Sequence, residues 1–262
     1  VCLTICCLII LGGIGFIVTV DLYNWGRKRV RKEERRPHLT LHTRIVLVST
    51  ASLLVLGTVL TLGLEYDHTL KDLNFWEKLN ASFFQSVTAR TAGYATIPQG
   101  ELGDATKLVT IILMFIGASP SSTGGGIKTT TFVVLVATVV SISRGRDETV
   151  INKRRVDKSV VYRAMTIVAM AFLVIAITSG VIMVTTPPEV SAIDAVYEAV
   201  SAFGTVGLTT GLTPDLSIVA KILVMLTMFI GRVGPISLVL ALTMKHSGGP
   251  GKILPEGKVI VG

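Results

Sequence analysis

One stretch of this chain, Thr91-Ala92-Gly93-Tyr94-Ala95-Thr96, occurs again in altered form as Thr205-Val206-Gly207-Leu208-Thr209-Thr210, 114 positions further along. The same offset relates Met114-Phe115-Ile116-Gly117 to Met228-Phe229-Ile230-Gly231, without a gap. We call residues 91–96 and 205–210 the first and second Thr-x-Gly loops. Each loop lies between a short helical pattern and a long hydrophobic one. The duplication therefore predicts a pore built from pseudo-symmetric parts.

Composition predicts an integral membrane protein. The chain has 262 residues, of which 50% are hydrophobic and 16% charged, and its mean hydropathy is +0.67. Soluble domains usually have about a quarter of their residues charged, and about 20 apolar residues cross a bilayer core of about 30 Å. The net charge of +8 comes largely from two basic segments between hydrophobic spans. Such an excess of Lys and Arg is typical of cytoplasmic loops, so we expect no nucleic acid partner.

The expected fold is an all-α integral membrane protein made of parallel span–re-entrant pore loop–span repeats, as in potassium channels. The predicted spans are Val1–Val20, Ile45–Leu64, Ala164–Val184 and Ser217–Met244. Two further helical patterns, Phe75–Thr88 and Ala192–Phe203, are too short to cross and are expected to be re-entrant. Two full crossings per repeat give both repeats the same orientation.

The spans divide the chain into five regions. Residues 1–44 end one repeat and include a cytoplasmic basic loop, and residues 45–143 form a complete repeat. Residues 144–163 form a second basic loop, residues 164–246 a second repeat, and residues 247–262 a cytoplasmic tail. The chain begins with Val1 inside a hydrophobic run, so we expect it to be the later portion of a longer polypeptide.

The hydrophobic stretch Thr106–Val140 is too long for one crossing and is interrupted in its middle. The interruption, which we call the glycine-serine loop, reads Gly117-Ala118-Ser119-Pro120-Ser121-Ser122-Thr123-Gly124-Gly125-Gly126. Because Pro and clustered Gly disfavour a continuous helix, we expect two half-helices joined at mid-membrane, where irregular backbone must be buried or line a wet cavity. Small side chains suit an element that moves. The alternative is a passive break that lets helices pack closely.

The Thr-x-Gly loops have the chemistry of a site for a monovalent cation. A filter for such an ion replaces its water with backbone carbonyls, and glycine permits the backbone conformation this requires. The candidate filter residues are Thr91, Ala92, Gly93, Tyr94, Thr205, Val206, Gly207 and Leu208, with potassium at Thr91, Ala92, Gly93, Thr205, Val206 and Gly207. The alternative is a glycine turn that only caps each short helix. Arg90 has Gly204 at the matching position, so we interpret Arg90 as a structural brace.

Two basic residues are expected at the depth of the glycine-serine loop. By the 114-residue offset Arg232 matches Ala118, and Lys128 follows the loop directly. Charged residues within the membrane usually face a cavity or partner carbonyls. We therefore expect Arg232 to bind carbonyls of Gly117–Gly126 and hold a gate, with Lys128 in a similar role or extended toward the cytoplasm. The alternative is a structural pairing unrelated to gating.

These residues together resemble a known family. The stretches 88–94, 117–131 and 204–210 are similar to those of the Trk/Ktr/HKT superfamily of potassium transporters, and most of all to its bacterial KtrB-type membrane subunits. The resemblance implies four span–loop–span repeats, of which this chain has two, with one filter loop from each. It also implies that the glycine-serine loop is an intramembrane gate. Two loops give half of a coordination ring, so we do not expect these residues alone to be selective.

The resemblance implies further properties of the whole protein. These are potassium uptake across the cell membrane, a homodimer, a cytoplasmic nucleotide-binding regulatory partner of the RCK/KTN type, and sodium dependence in many members. Gly at the filter positions favours potassium within the superfamily. No cofactor and no catalytic residues are expected. The alternatives are a secondary solute carrier with a midplane binding site, which needs polar groups facing its cavity, and a membrane enzyme, which needs a nucleophile–base pair or metal cluster.

Overall fold

The structure is a computed structural model that describes residues 2–31, 38–146, 148–152, 154–188 and 190–234. In chain order its helices are α1 (Cys2–Gly13), α2 (Phe16–Val30), α3 (Leu41–Glu65), α4 (Phe75–Thr88), α5 (Asp104–Phe115), α6 (Thr129–Ser143), α7 (Lys158–Thr185), α8 (Ala192–Gly204) and α9 (Ile218–Val233). A small antiparallel pair, β1 (Val150–Ile151) and β2 (Arg154–Arg155), lies between α6 and α7. Among the described residues, α3 and α7 are each long and apolar enough to cross a membrane alone.

The 114-residue offset recurs in the secondary structure. The short 3₁₀ helix Gln99–Glu101 is followed at this offset by a second one, Thr213–Asp215. Helices α5 and α9 begin at Asp104 and Ile218, again 114 positions apart. Each Thr-x-Gly loop therefore has the same neighbours along the chain: a short helix before it, then a 3₁₀ turn and a long apolar helix after it.

The stretch Thr106–Val140 is broken where its sequence indicates. Helix α5 ends at Phe115 and α6 begins at Thr129, with the glycine-serine loop between them. Ile116 and Ile127 form an isolated parallel bridge across the base of this loop. The two half-helices are thus joined by an irregular segment whose ends are held together by backbone hydrogen bonding.

The expected span over Val1–Val20 is not one continuous helix. Helix α1 ends at Gly13, and α2 starts at Phe16 after a bend of 98°. Gly15 has φ of +87°, and a Cβ there would collide with the carbonyl oxygen of Pro120. The free backbone groups at the bend are satisfied by the glycine-serine loop, because Ser119 N donates to Gly13 O at 3.0 Å and Phe16 N donates to Ser121 O at 3.0 Å. The break therefore depends on a distant segment.

Both segments expected to be basic loops are partly helical. Helix α2 continues to Val30 and so includes the first arginines of that region. Helix α7 begins at Lys158, six residues before the predicted start, because Asp157 caps it by accepting a hydrogen bond from Ser159 N at 2.6 Å. The last predicted span is described only as far as Gly234, so its remainder and the predicted tail 247–262 lie outside the described residues.

Helix α8 lies at the centre of the largest hydrophobic core among the described residues. It packs against α5, α7 and α9, and its Tyr197 and Phe203 are fully buried. Close approach of α9 depends on Gly231, where a Cβ would collide with the carbonyl oxygen of Phe203. The second Thr-x-Gly loop thus starts from a helix enclosed on three sides.

Candidate functional site

The two Thr-x-Gly loops have matching backbone conformations. Thr91 and Gly93 have φ of +69° and +77°, and the corresponding Thr205 and Gly207 have φ of +51° and +90°. Positive φ is uncommon for residues other than glycine and unfavourable for a β-branched side chain such as threonine. Because the same unusual conformation occurs twice at the same offset, the two loops are structural equivalents.

The loops meet at their glycines. A Cβ on Gly93 would collide with the carbonyl oxygen of Val206 and would lie 3.2 Å from the Cα of Gly207. A Cβ on Gly207 would lie 3.7 Å from the Cα of Gly93. Residues that are far apart in sequence are therefore in backbone contact, and Gly93 leaves no room for a side chain between the two loops.

A hydroxyl group from each short helix holds the far side of its loop. Thr88 Oγ1 donates to the carbonyl oxygen of Tyr94, and Ser201 Oγ donates to that of Leu208, both at 2.6 Å. These carbonyls are 114 positions apart, whereas the donors are 113 apart. The donor in α8 thus lies one position earlier than the 114-residue offset predicts, but it makes the equivalent hydrogen bond.

The glycine-serine loop lies directly against both threonines. A Cβ on Gly124 would collide with Thr91 Oγ1, and one on Gly125 would collide with Thr205 Oγ1. A Cβ on Gly126 would lie 3.3 Å from Gly204 Cα. The loop is therefore in contact with the base of both Thr-x-Gly loops, and its glycines permit that approach.

Both predicted basic residues donate to carbonyls of the glycine-serine loop. Lys128 Nζ lies 2.6 Å from Gly124 O. Arg232, at the carboxyl end of α9, donates from Nη1 to Thr123 O. Two basic side chains, one directly before α6 and one in α9, thus bind adjacent peptide units.

The structure does not give Arg90 the bonds of a brace. Its side chain is buried, and Nε and Nη2 have no hydrogen-bond partner among the described residues. It lines a small cavity together with Ile10 and Gly13 of α1.

Sequence reasoning missed a buried polar network behind the loops. Gln99 Oε1 accepts hydrogen bonds from Gln85 Nε2 at 2.6 Å and from Tyr197 OH at 2.8 Å. Gln99 Nε2 donates to Gln85 Oε1 at 3.1 Å and to Ile97 O at 2.6 Å. The network joins α4, α8 and the segment leaving the first loop. Two glutamines flanking that loop were the available signal, but Tyr197 lies 98 positions from Gln99.

Acidic residues of α8 fasten the surroundings of the second loop. Glu198 is buried; it accepts a hydrogen bond from Thr210 N at 3.1 Å and one from Thr213 Oγ1 at 2.9 Å. Asp194, in the first turn, pairs with Lys107 of α5 at 2.8 Å. Carboxylates in a short, otherwise apolar helix were the sequence signal for these roles.

Apolar helices joined by glycine-rich loops are the architecture of a helical membrane transport protein. Comparison with known proteins agrees with this class. The chain belongs to the TrkH family, described as cation transport proteins, whose profile matches residues 1–249. The expected superfamily and the membrane location are thereby confirmed.

Individual relatives cover nearly all of this chain. It is 37% identical over 262 residues to the Ktr system potassium uptake protein B of Bacillus subtilis (strain 168), covering 99% of this chain and 56% of that protein. It is 38% identical over 259 residues to the potassium/sodium uptake protein NtpJ of Enterococcus hirae, covering 97% and 56%. The chain therefore spans about half the length of these relatives.

A solved structure has the same fold. The crystal structure of the potassium transporter TrkH from Vibrio parahaemolyticus matches with a TM-score of 0.68 at 19% sequence identity. The match covers 93% of this chain and 52% of that one. It shows a shared arrangement of helices.

Proposed function

We propose that this chain supplies two of the four loops of a selectivity filter in a potassium uptake protein of the cell membrane. The observation that carries the proposal is the backbone contact between Gly93 and Gly207, in two loops with the same left-handed conformation. The names of the relatives, which are potassium and potassium/sodium uptake proteins, support it. Two further loops, from outside this sequence, complete the ring.

In this proposal α4 and α8 are re-entrant pore helices in parallel repeats. Their carboxyl ends carry partial negative charge and favour a cation at the loops. Carbonyls of residues 91–93 and 205–207 replace the water around potassium, in the manner of known filters. The buried Oγ1 of Thr205, which has no hydrogen-bond partner among the described residues, is a further oxygen available to the ion. The carbonyls of Tyr94 and Leu208 are instead held by hydroxyl groups.

The glycine-serine loop is the gate in this proposal. Its contact with Thr91 and Thr205 supports a position across the inner end of the filter. Arg232 and Lys128 hold it closed through Thr123 O and Gly124 O, and their positive charges oppose the passage of a cation. Opening requires these bonds to be released, and small side chains let the loop move without displacing its neighbours.

The filter is tested by Gly93→Ala in the full-length protein, with potassium uptake measured in a strain that lacks its own uptake systems. Alanine at φ of +77° costs about 1–2 kcal/mol and collides with Val206 O. We expect at least about tenfold slower potassium uptake and weaker discrimination against sodium. Gly103→Ala is the matched control, because its Cβ would meet only Glu65 Oε1 at 3.4 Å. Unchanged uptake and selectivity in Gly93→Ala contradict the filter.

The gate is tested by Arg232→Ala, with Arg232→Lys as the control that keeps the charge. Loss of the bond to Thr123 O should raise potassium flux under conditions in which the parent protein is closed. Lysine should restore part of the closure. A flux indistinguishable from the parent protein in both variants eliminates the gating role.

The family resemblance also leads us to propose a homodimer with a cytoplasmic nucleotide-binding regulatory partner. The relative from Bacillus subtilis is named as part of a Ktr system, which supports an assembly of more than one component. Light scattering of the purified full-length protein tests the dimer, and co-purification tests the partner. A monomer that retains no regulatory subunit contradicts this assembly.

A further inference from the structure

An open apolar groove runs between α3, α5 and α6, away from the Thr-x-Gly loops. Its volume is about 660 Å³. Its walls include the exposed side chains of Leu56, Leu60, Ile112, Val136 and Val140. Because these side chains are apolar and exposed in helices that lie within a membrane, the groove suits an apolar occupant.

One end of the groove is cationic. Arg144 and Arg146, which follow the carboxyl end of α6, line it and are exposed. Within the part of the chain that the structure describes, neither guanidinium has a carboxylate partner, whereas nearby Arg155 pairs with Glu148 at 2.9 Å. The excess of Lys and Arg assigns this end of the helices to the cytoplasm. The groove thus combines an apolar length with a positively charged mouth at the membrane surface.

Along α3 the groove is about as long as one leaflet of a bilayer is thick. On α3 its lining runs from Ser49 to Leu60, and eleven steps of about 1.5 Å give about 16 Å. That is about half of a hydrocarbon core of about 30 Å. The occupant therefore has an apolar part of about this length and an anionic group at the cytoplasmic surface.

We propose that this groove binds a phospholipid of the cytoplasmic leaflet. An acyl chain lies between α3 and α6, and an anionic headgroup binds Arg144 and Arg146. Basic pockets between helices at the cytoplasmic side are suited to anionic headgroups. A second copy of this chain is a poorer occupant, because a parallel dimer through this groove brings the arginines of both copies to the same depth. The lipid neutralises these charges and fills the groove at once.

The headgroup is tested by native mass spectrometry of the purified protein titrated with phosphatidylglycerol or phosphatidylcholine. We expect the parent protein to retain phosphatidylglycerol preferentially. Arg144→Gln/Arg146→Gln should weaken that binding by about thirtyfold, from roughly fivefold per arginine at an anionic surface. Arg27→Gln/Arg154→Gln removes two exposed arginines that do not line the groove and should leave the affinity unchanged.

The apolar part is tested by Ala137→Phe, which fills the groove without changing charge. Val139→Phe is the control, because Val139 is on the same helix but does not line the groove. Ala137→Phe should reduce retained phosphatidylglycerol severalfold, and Val139→Phe should not. Equal retention of both lipids by the parent protein, or an effect of the Arg27/Arg154 control as large as that of the groove pair, overturns the proposal. So does a dimer whose cross-links place a second copy in the groove.

Discussion

Replacing Gln99 with leucine should destabilise this protein far more than removing one hydroxyl group from the same network. Gln99 is buried, and its amide makes four hydrogen bonds, to Gln85 (two), Tyr197 and Ile97. Leucine has a similar volume but leaves these four partner atoms without that contact. Each buried polar group left unsatisfied costs about 1–3 kcal/mol. The free energy of unfolding should therefore fall by at least about 4 kcal/mol.

Tyr197→Phe should cost only about 1 kcal/mol, the net worth of one ordinary hydrogen bond. Gln99 Oε1 still accepts from Gln85 Nε2 in that variant. The effect of Tyr197→Phe on stability should change sign when Gln99 is already leucine. In the Gln99→Leu background the tyrosine hydroxyl is an orphaned buried donor, so Tyr197→Phe should restore about 1–3 kcal/mol.

The measurement is unfolding of the purified protein in mixed micelles by titration with sodium dodecyl sulfate, followed by circular dichroism. The parent, both single variants and the double variant form one cycle. The reasoning is refuted if the two single variants lose equal stability, or if Tyr197→Phe destabilises the Gln99→Leu protein further.

Three other predictions concern packing, pairing and capping. Gly231→Ala should lower the free energy of unfolding by about 1–3 kcal/mol, because its Cβ collides with the backbone of α8. Gly180→Ala, whose Cβ meets nothing within 4 Å, should instead raise it by about 0.4–1 kcal/mol. Unfolding of the two variants in micelles checks both. Alanine at Lys107, at Asp194 and at both should reveal a coupling of about 0.5–3 kcal/mol for their 2.8 Å ion pair, and additive losses contradict it. Hydrogen bonds from Ser159 lower the pKa of Asp157, so this carboxylate stabilises the folded state above its ordinary pKa and the contribution is lost as pH falls through the lowered value. Melting temperatures of the parent and Asp157→Ala should therefore differ at pH 7 and converge in acid.

The break in α1–α2 shows where sequence reasoning fails. The stretch Gly12–Phe16 contains three glycines, and the interruption within Thr106–Val140 contains four. Only the second carries a proline and a long enough run of small residues to predict an interruption. The bend at Gly15 is instead stabilised by hydrogen bonds to Ser119 and Ser121. A contact made by residues about a hundred positions away leaves no local pattern.

The buried network fails to show in the sequence for the same reason. Gln85 and Gln99 are polar residues beside the first loop, and their sequence gives no partner for either. Tyr197 has a phenol that is compatible with a lipid-facing or a buried position. Only the packing of α8 against α5 brings its hydroxyl to Gln99.

By itself the sequence determined the membrane class, the duplicated Thr-x-Gly loops, the glycine-serine interruption and the two cations beside it. These features depend on hydrophobic length, on glycine at positions of special backbone geometry and on a repeat at a constant offset, and none of these requires knowing how the helices pack. The tertiary structure alone decided that Gly93 contacts Gly207, which carbonyl of the glycine-serine loop Arg232 binds, and that an apolar groove opens beside Arg144. Such contacts depend on how separate helices pack, and packing depends on the shapes of surfaces far apart in the chain.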